Sequence, residues 1–252
     1  MIQPIRPFAI LSTCLILTSC GNGVADKPAN TNTVAGDTSM QEEATTPQQA
    51  SEPAIPTIKI GEQEWMLADI NATAYNNGDA IPEVTTEKQW TGYASKKEGC
   101  YRKLTNGAVL YNGFAMSDAR GIVPAGFQIP TQDDFKQLIK FLGGGNSQSG
   151  KATKAMAGYT YKMEEWVDGK DGGGFTDVTI KGTGSNGFNA QEGGHIYDNG
   201  AANEGSCSYW WTSTKEGKDY AVVDIGYCSQ DLGGGSGIYS AAYGFAVRAI
   251  KK

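Results

Sequence analysis

The sequence predicts an α+β domain over residues 58–252, preceded by a stretch with too little apolar content to fold. Three observations predict it. The apolar segments run strands, helix, long loops, strands, which is not the βαβα alternation of a parallel sheet. A single window, residues 131–142, carries apolar side chains at helical spacing. And 31 of the 34 glycines fall in this part of the chain, more than twice the usual density of ~7%. Glycine at that density implies many turns and irregular loops on a modest scaffold. Its 195 residues are enough for one core that buries roughly 70% of the unfolded surface.

The elements follow in chain order. Thr57–Ile60 and Glu64–Ala68 have strand composition, with Gly61 in the turn between them. Asn76-Asn-Gly-Asp79 is a turn signal, because Asn-Gly reaches positive φ at low cost. Val109–Phe114 reads as a strand or strand edge. Thr131 is a good N-cap, and Asp134 sits three residues later in the donor-rich first turn. Phe135, Leu138, Ile139 and Leu142 then share one helical face, and Gly143 suits the position after the C-cap. A weaker helix is expected over Lys151–Ala157, and a loop-dominated stretch from Gly158 to Tyr209. Trp210-Trp211, Tyr220–Ile225 and Tyr243–Ile250 read as strands. In the second, Ala221, Val223 and Ile225 alternate with Tyr220, Val222 and Asp224, the period-2 pattern of a sheet with two unlike faces.

The N-terminus sets the expected compartment. Arg6 precedes the apolar run Phe8–Thr18, which at about 11 residues is too short to span a hydrocarbon core and fits the apolar region of a secretory signal. Leu17-Thr18-Ser19-Cys20 resembles the bacterial lipobox. That resemblance implies removal of residues 1–19 and acylation of Cys20. With two or more acyl chains the anchoring is stable, so the chain is expected on a membrane of the cell envelope, the outer membrane first. Residues 21–57 contain no aromatic residue and no Leu. Such a segment cannot offset its ordering entropy, so 20–57 is read as the lipidated Cys and a disordered tether of about 35 Å.

The formal net charge is −6, and loss of Arg6 makes it more negative. Without a basic stripe the chain is a poor nucleic-acid binder. Cys100, Cys207 and Cys228 remain in the domain. An oxidising compartment permits one disulfide and one leftover thiol. Cys207–Cys228 is the favoured pair because both flank apparent strands close in sequence; three buried thiols are the alternative.

Short stretches in a fixed order carry a family resemblance: Gly61-Glu-Gln-Glu-Trp-Met66, Tyr75-Asn-Asn-Gly-Asp-Ala-Ile-Pro82, Gly107-Ala-Val-Leu-Tyr-Asn112, Val123-Pro-Ala-Gly-Phe-Gln-Ile-Pro-Thr131, Gly187-Phe188, Gly193-Gly194, Tyr209-Trp-Trp-Thr-Ser213 and Val247-Arg248. They cover nearly all of residues 58–252. The domain resembles the Fibrobacter succinogenes major paralogous domain family, found in envelope proteins of Bacteroidetes-like bacteria. The resemblance implies a C-type-lectin-like fold: a small twisted antiparallel sheet, two helices and long glycine-rich loops. It implies no established activity. The family often has Cys after Val-Arg, where Ala249 stands here, so Cys100 is implied to lack its family partner.

No catalytic constellation emerges. The Glu-Pro-Asn, Gln-Pro-Asp and Trp-Asn-Asp motifs of calcium-dependent lectins are absent from residues 58–252. Trp210 and Trp211 are adjacent and face opposite ways on a strand; one is expected in the core, and the other is the candidate ligand surface. No cofactor is expected. The one candidate ion is a structural Ca²⁺ at Asp168, Asp171 and Asp177, three carboxylates in a glycine-rich loop, although Asp in turns commonly bonds its own backbone. His195, the single histidine, is expected to be exposed or locally bonded, and no Gly-x-Ser-x-Gly elbow accompanies it. The leading expectation is therefore a membrane-anchored binding module for a glycan or an envelope protein. A structural component of an envelope complex is the rival. An enzyme of the formylglycine-generating kind ranks last.

Overall fold

The computed structural model describes residues 54–143, 156–158, 160–167, 173–205, 207–226 and 237–252. The signal segment, Cys20, nearly all of the tether, Lys151–Lys154 and Ala155 of the weaker helix, Asp168, Asp171 and Cys228 lie outside them.

The described residues are α+β, dominated by antiparallel pairing. β1 (Thr57–Ile60) and β2 (Gln63–Met66) form a hairpin turned by Gly61 at φ 62°. α1 is Glu87–Lys96, β3 is Tyr101–Lys103, β4 is Val109–Asn112, and α2 is Gly113–Met116. β5 (Phe127–Gln128) and α3 (Gln132–Phe141) follow. β6 (Thr160–Val167) and β7 (Gly174–Lys181) pair along eight positions. β8 (His195–Ile196), β9 (Ala202–Asn203), β10 (Cys207–Glu216), β11 (Asp219–Gly226), β12 (Gly237–Tyr239), β13 (Gly244–Phe245) and β14 (Ile250–Lys251) complete the order. Four sheets result, in strand orders β1-β2-β14-β5, β3-β4-β13-β8-β9, β10-β11-β12 and β6-β7.

α3 forms as its sequence dictates. Thr131 and Asp134 make a capping box, Phe135, Leu138 and Ile139 are buried, and Gly143 follows the C-cap at φ 79°. The Asn76–Asp79 turn also forms, with Gly78 at φ 90°. α1 has an equally good capping box, Thr86 with Gln89, but no apolar stripe announces it. Trp90 is its one buried residue, and its indole donates to the Ala242 carbonyl at 2.7 Å. Strand β4 stops at Asn112 because that fully buried side chain caps α2: Oδ1 accepts from Ala115 and Cys100 N–H, and Nδ2 donates to the Glu98 carbonyl.

Two expectations are corrected. The stretch from Gly158 to Tyr209 is not loop alone, because β6 and β7 pair through register Thr160↔Lys181 to Val167↔Gly174. Tyr243–Ile250 is not one continuous strand. Only its ends pair as β13 and β14, and residues 246–249 between them run through the interior. Backbone bonds stitch that interior run to its surroundings: Ala246 with Tyr209 and Trp211, Val247 with Ile70, Ala249 with Met66.

The core is double, and β10–β11 is its dividing wall. Trp210 and Val223 belong to one apolar cluster with Trp65, Phe135, Leu138 and Phe188. Trp211 and Val222 belong to the other with Tyr111, Phe245 and Val247. The period-2 pattern of β11 therefore reports two buried faces, not one buried and one wet. The rings interlock at centroid distances of 4.9 Å for Trp65–Phe135 and 4.8 Å for Trp211–Phe245, the tilted and edge-on geometries that aromatic quadrupoles favour.

Candidate functional site

The chain leaving β2 carries Leu67 and Asp69 past the buried run 246–249. Arg248, 1% exposed, donates from Nε to Asp69 Oδ1 at 2.6 Å and from Nη1 to the Phe188 carbonyl at 2.6 Å. Its guanidinium lies 4.3 Å from the Phe188 ring centroid. The Trp210 indole donates to the same Asp69 Oδ1 at 2.9 Å. A buried guanidinium is tolerable only when paired and hydrogen-bonded in this way. Asp69 itself is partly exposed, its side chain at 26%, and among the described residues its other oxygen, Oδ2, accepts nothing.

Asp69 lines a cleft of about 430 Å³. Neutral amides Asn71, Asn106 and Gln191 and the acid Glu192 line it, with Leu67 and Ala246 as apolar wall. The lining loops are tied together. Asn106 Nδ2 donates to the Glu192 carbonyl at 2.9 Å, and its Oδ1 accepts from Ala108 N–H. Gln191 Nε2 donates to the Asn189 carbonyl at 2.9 Å, and Ser208 Oγ donates to the Gln191 carbonyl. Asn189 holds φ 47°, a conformation rare outside glycine. The cleft thus offers an immobilised carboxylate oxygen, amide donors and acceptors, and no unpaired cation.

A family model for the Fibrobacter succinogenes major domain matches residues 58–251. The chain belongs to that family. No curated protein and no solved structure matches it. In this Fibrobacter succinogenes major domain, stretches far apart in sequence meet in the core next to Arg248: Trp65, Phe188 and Trp210, with rings 5.5 Å (Trp65–Phe188) and 5.7 Å (Phe188–Trp210) apart.

The domain places the residues singled out from sequence as follows. Trp210 and Trp211 are both fully buried, and their indoles donate to Asp69 and to the Tyr111 carbonyl. Neither ring offers a face to a ligand, because each fills one of the two clusters; the expected Trp surface is corrected on that ground. Asp177 stands in β7, paired with Glu164, while Asp168 and Asp171 lie outside the described residues. Cys207 is disulfide-bonded, and Cys228 lies outside the described residues. Cys100 is a free buried thiol whose pKa burial pushes up to about 12. His195 is neither exposed nor locally bonded. It is 7% exposed, its Nδ1 has no hydrogen-bond partner among the described residues, and burial lowers its pKa. Tyr197 and Tyr209 meet its ring edge-on at 4.5 and 4.9 Å.

Sequence reasoning missed Asp69, Asn71, Asn106, Gln191 and Glu192. One signal pointed there: an Arg inside the apolar run Phe245–Ile250 must bring a buried acceptor with it.

Proposed function

We propose that the chain is a lipid-anchored envelope protein whose C-type-lectin-like domain presents the Asp69 cleft to a hydroxyl-rich, uncharged ligand, a glycan. The observation that carries this reading is the divided Asp69 carboxylate: Oδ1 is locked by Arg248 and Trp210, and Oδ2 is left to accept. A fixed acceptor ringed by neutral amides suits vicinal hydroxyls, which donate and accept in turn. Glu192 and the acidic net charge argue against anionic ligands. The lipobox-like Leu17–Cys20 and the composition of residues 21–57 support a tethered, outward-reaching display.

An array of immobilised neutral, amino and acidic glycans, probed with the full chain in detergent, tests the reading. Binding is expected on neutral structures. Loss of a hydrogen bond to a charged acceptor is worth about 1.5–3 kcal/mol, so Asp69→Asn is expected to weaken binding roughly 10- to 100-fold. Asn106→Ala, further from the buried ion pair, is expected to weaken it with the fold intact. Silence across the array defeats the glycan reading.

One observation favours the assembly reading. Among the described residues, β6 and β7 pair with each other and with no other strand, leaving long edges open. An envelope partner that adds a strand there, together with a silent array, would make the domain a structural component.

A further inference from the structure

The cleft occupies one end of a short strand pair, and the other end carries tyrosines. β8 and β13 are antiparallel with Gly244 opposite Ile196. Glu192 and Gly193 precede β8 and Ala246 follows β13, so these cleft residues share one end of the ladder. Tyr197 follows β8 and Tyr243 precedes β13, so these two flank the opposite end, with ring centroids 6.4 Å apart. Gly193 and Tyr197 are four residues apart, a separation of at most about 14 Å along the chain.

The tyrosine end is exposed and held in place. Tyr197 is 41% exposed, and Tyr243 and Tyr239 are half-buried. Tyr243 stacks one face on Phe245 at 5.9 Å and 15°, and meets Tyr239 edge-on at 5.2 Å. Tyr197 rests edge-on against buried His195 and is fixed by the turn in which its N–H donates to Ala201 and its carbonyl accepts from Gly200. The Trp90 indole holds the Ala242 carbonyl beside Tyr243. A Cβ on Gly244 would come within 2.6 Å of the Trp90 ring, so β13 lies directly on Trp90 and has no room to shift. Burial, and then Asp198, raises the pKa of the Tyr243 phenol, which stays neutral and able to donate.

We propose that Tyr197 and Tyr243 form a second subsite that stacks on a sugar ring further along the same ligand than the one held at Asp69, so that the domain reads an extended glycan chain. This rests on the glycan reading of the cleft and adds the length of the ligand. A sugar ring has an apolar C–H face and a polar edge. A rigid phenol ring beside an amide-lined cleft matches both, at little cost in side-chain entropy. One hexose satisfies the cleft; only a chain reaches the tyrosines.

The test uses the full chain in detergent and linear oligomers of glucose, mannose, galactose and N-acetylglucosamine, one to six units long, by titration calorimetry. For the sugar that binds, the hexamer is expected at least tenfold tighter than the dimer. In Tyr197→Ala that ratio is expected to fall below two, and in Tyr197→Phe, which keeps the ring, to stay near the wild-type value. Asn106→Ala, which leaves the Asp69–Arg248 pair in place, is expected to weaken every length by a similar factor. Equal affinity for dimer and hexamer, or a ratio that survives Tyr197→Ala, overturns the second subsite and leaves the cleft standing. No binding at any length in any series overturns the glycan reading itself.

Discussion

Asp69 shows how one side chain links core and surface. Its Oδ1 neutralises a guanidinium that the interior could not otherwise hold, and these bonds leave Oδ2 without a donor among the described residues. His195 is the contrasting case, a titratable ring with aromatic neighbours and no acceptor for Nδ1 among the described residues. Burial lowers its folded pKa below the ordinary 6.5. The unfolded chain therefore takes up a proton that the folded chain resists. Stability is full above about pH 6.5 and falls as pH drops toward the folded pKa. Thermal midpoints between pH 8 and 5 are expected to decline in the wild type and to flatten in that window in His195→Asn. Beyond the Arg set in the apolar run Phe245–Ile250, little of this was legible beforehand. The Trp pair and the lone His stood out by residue type, yet burial decides what a side chain offers. That Trp210 and Trp211 would fill separate clusters depends on β10 having apolar neighbours on both faces, which no local pattern declares.

At the scale of elements, legibility followed periodicity. α3 could be read from its cap to its terminal glycine because four apolar residues share a face. α1 could not, because Trp90 is its one buried residue and only partly buried Tyr93 packs beside it, too few to make an apolar stripe. The β1–β2 hairpin, the Asn76–Asp79 turn and the β10–β11 wall carried local signals. The β6–β7 hairpin and the broken run from β13 to β14 did not, since their pairing partners are chosen by tertiary contacts. The cap of α3 makes a quantitative expectation. Thr131 accepts from Asp134 N–H at 3.1 Å and donates to its carboxylate at 2.7 Å. Thr131→Ala is expected to cost about 1 kcal/mol, measured as a lower urea midpoint at unchanged slope. An unchanged midpoint would mean that burial of Phe135 and Leu138 alone sets the position of the helix.

For the whole molecule, the expectation concerns the N-terminal end. Among the described residues no helix is long and apolar enough to cross a membrane. If acylation at Cys20 is what holds the chain, Cys20→Ser is expected to abolish labelled palmitate incorporation and move the protein from the detergent phase to the aqueous phase. Retention of the mutant in detergent would refute the anchor. The opposite end of the chain has its own significance. β13, residues 246–249 and β14 pair with β2, β4, β5 and β8 and rest on β10. Those strands come from far-apart stretches of the domain, and residues 244–251 are the run that they share. Without that shared run, strands drawn from far-apart stretches of the domain would lose their common partner.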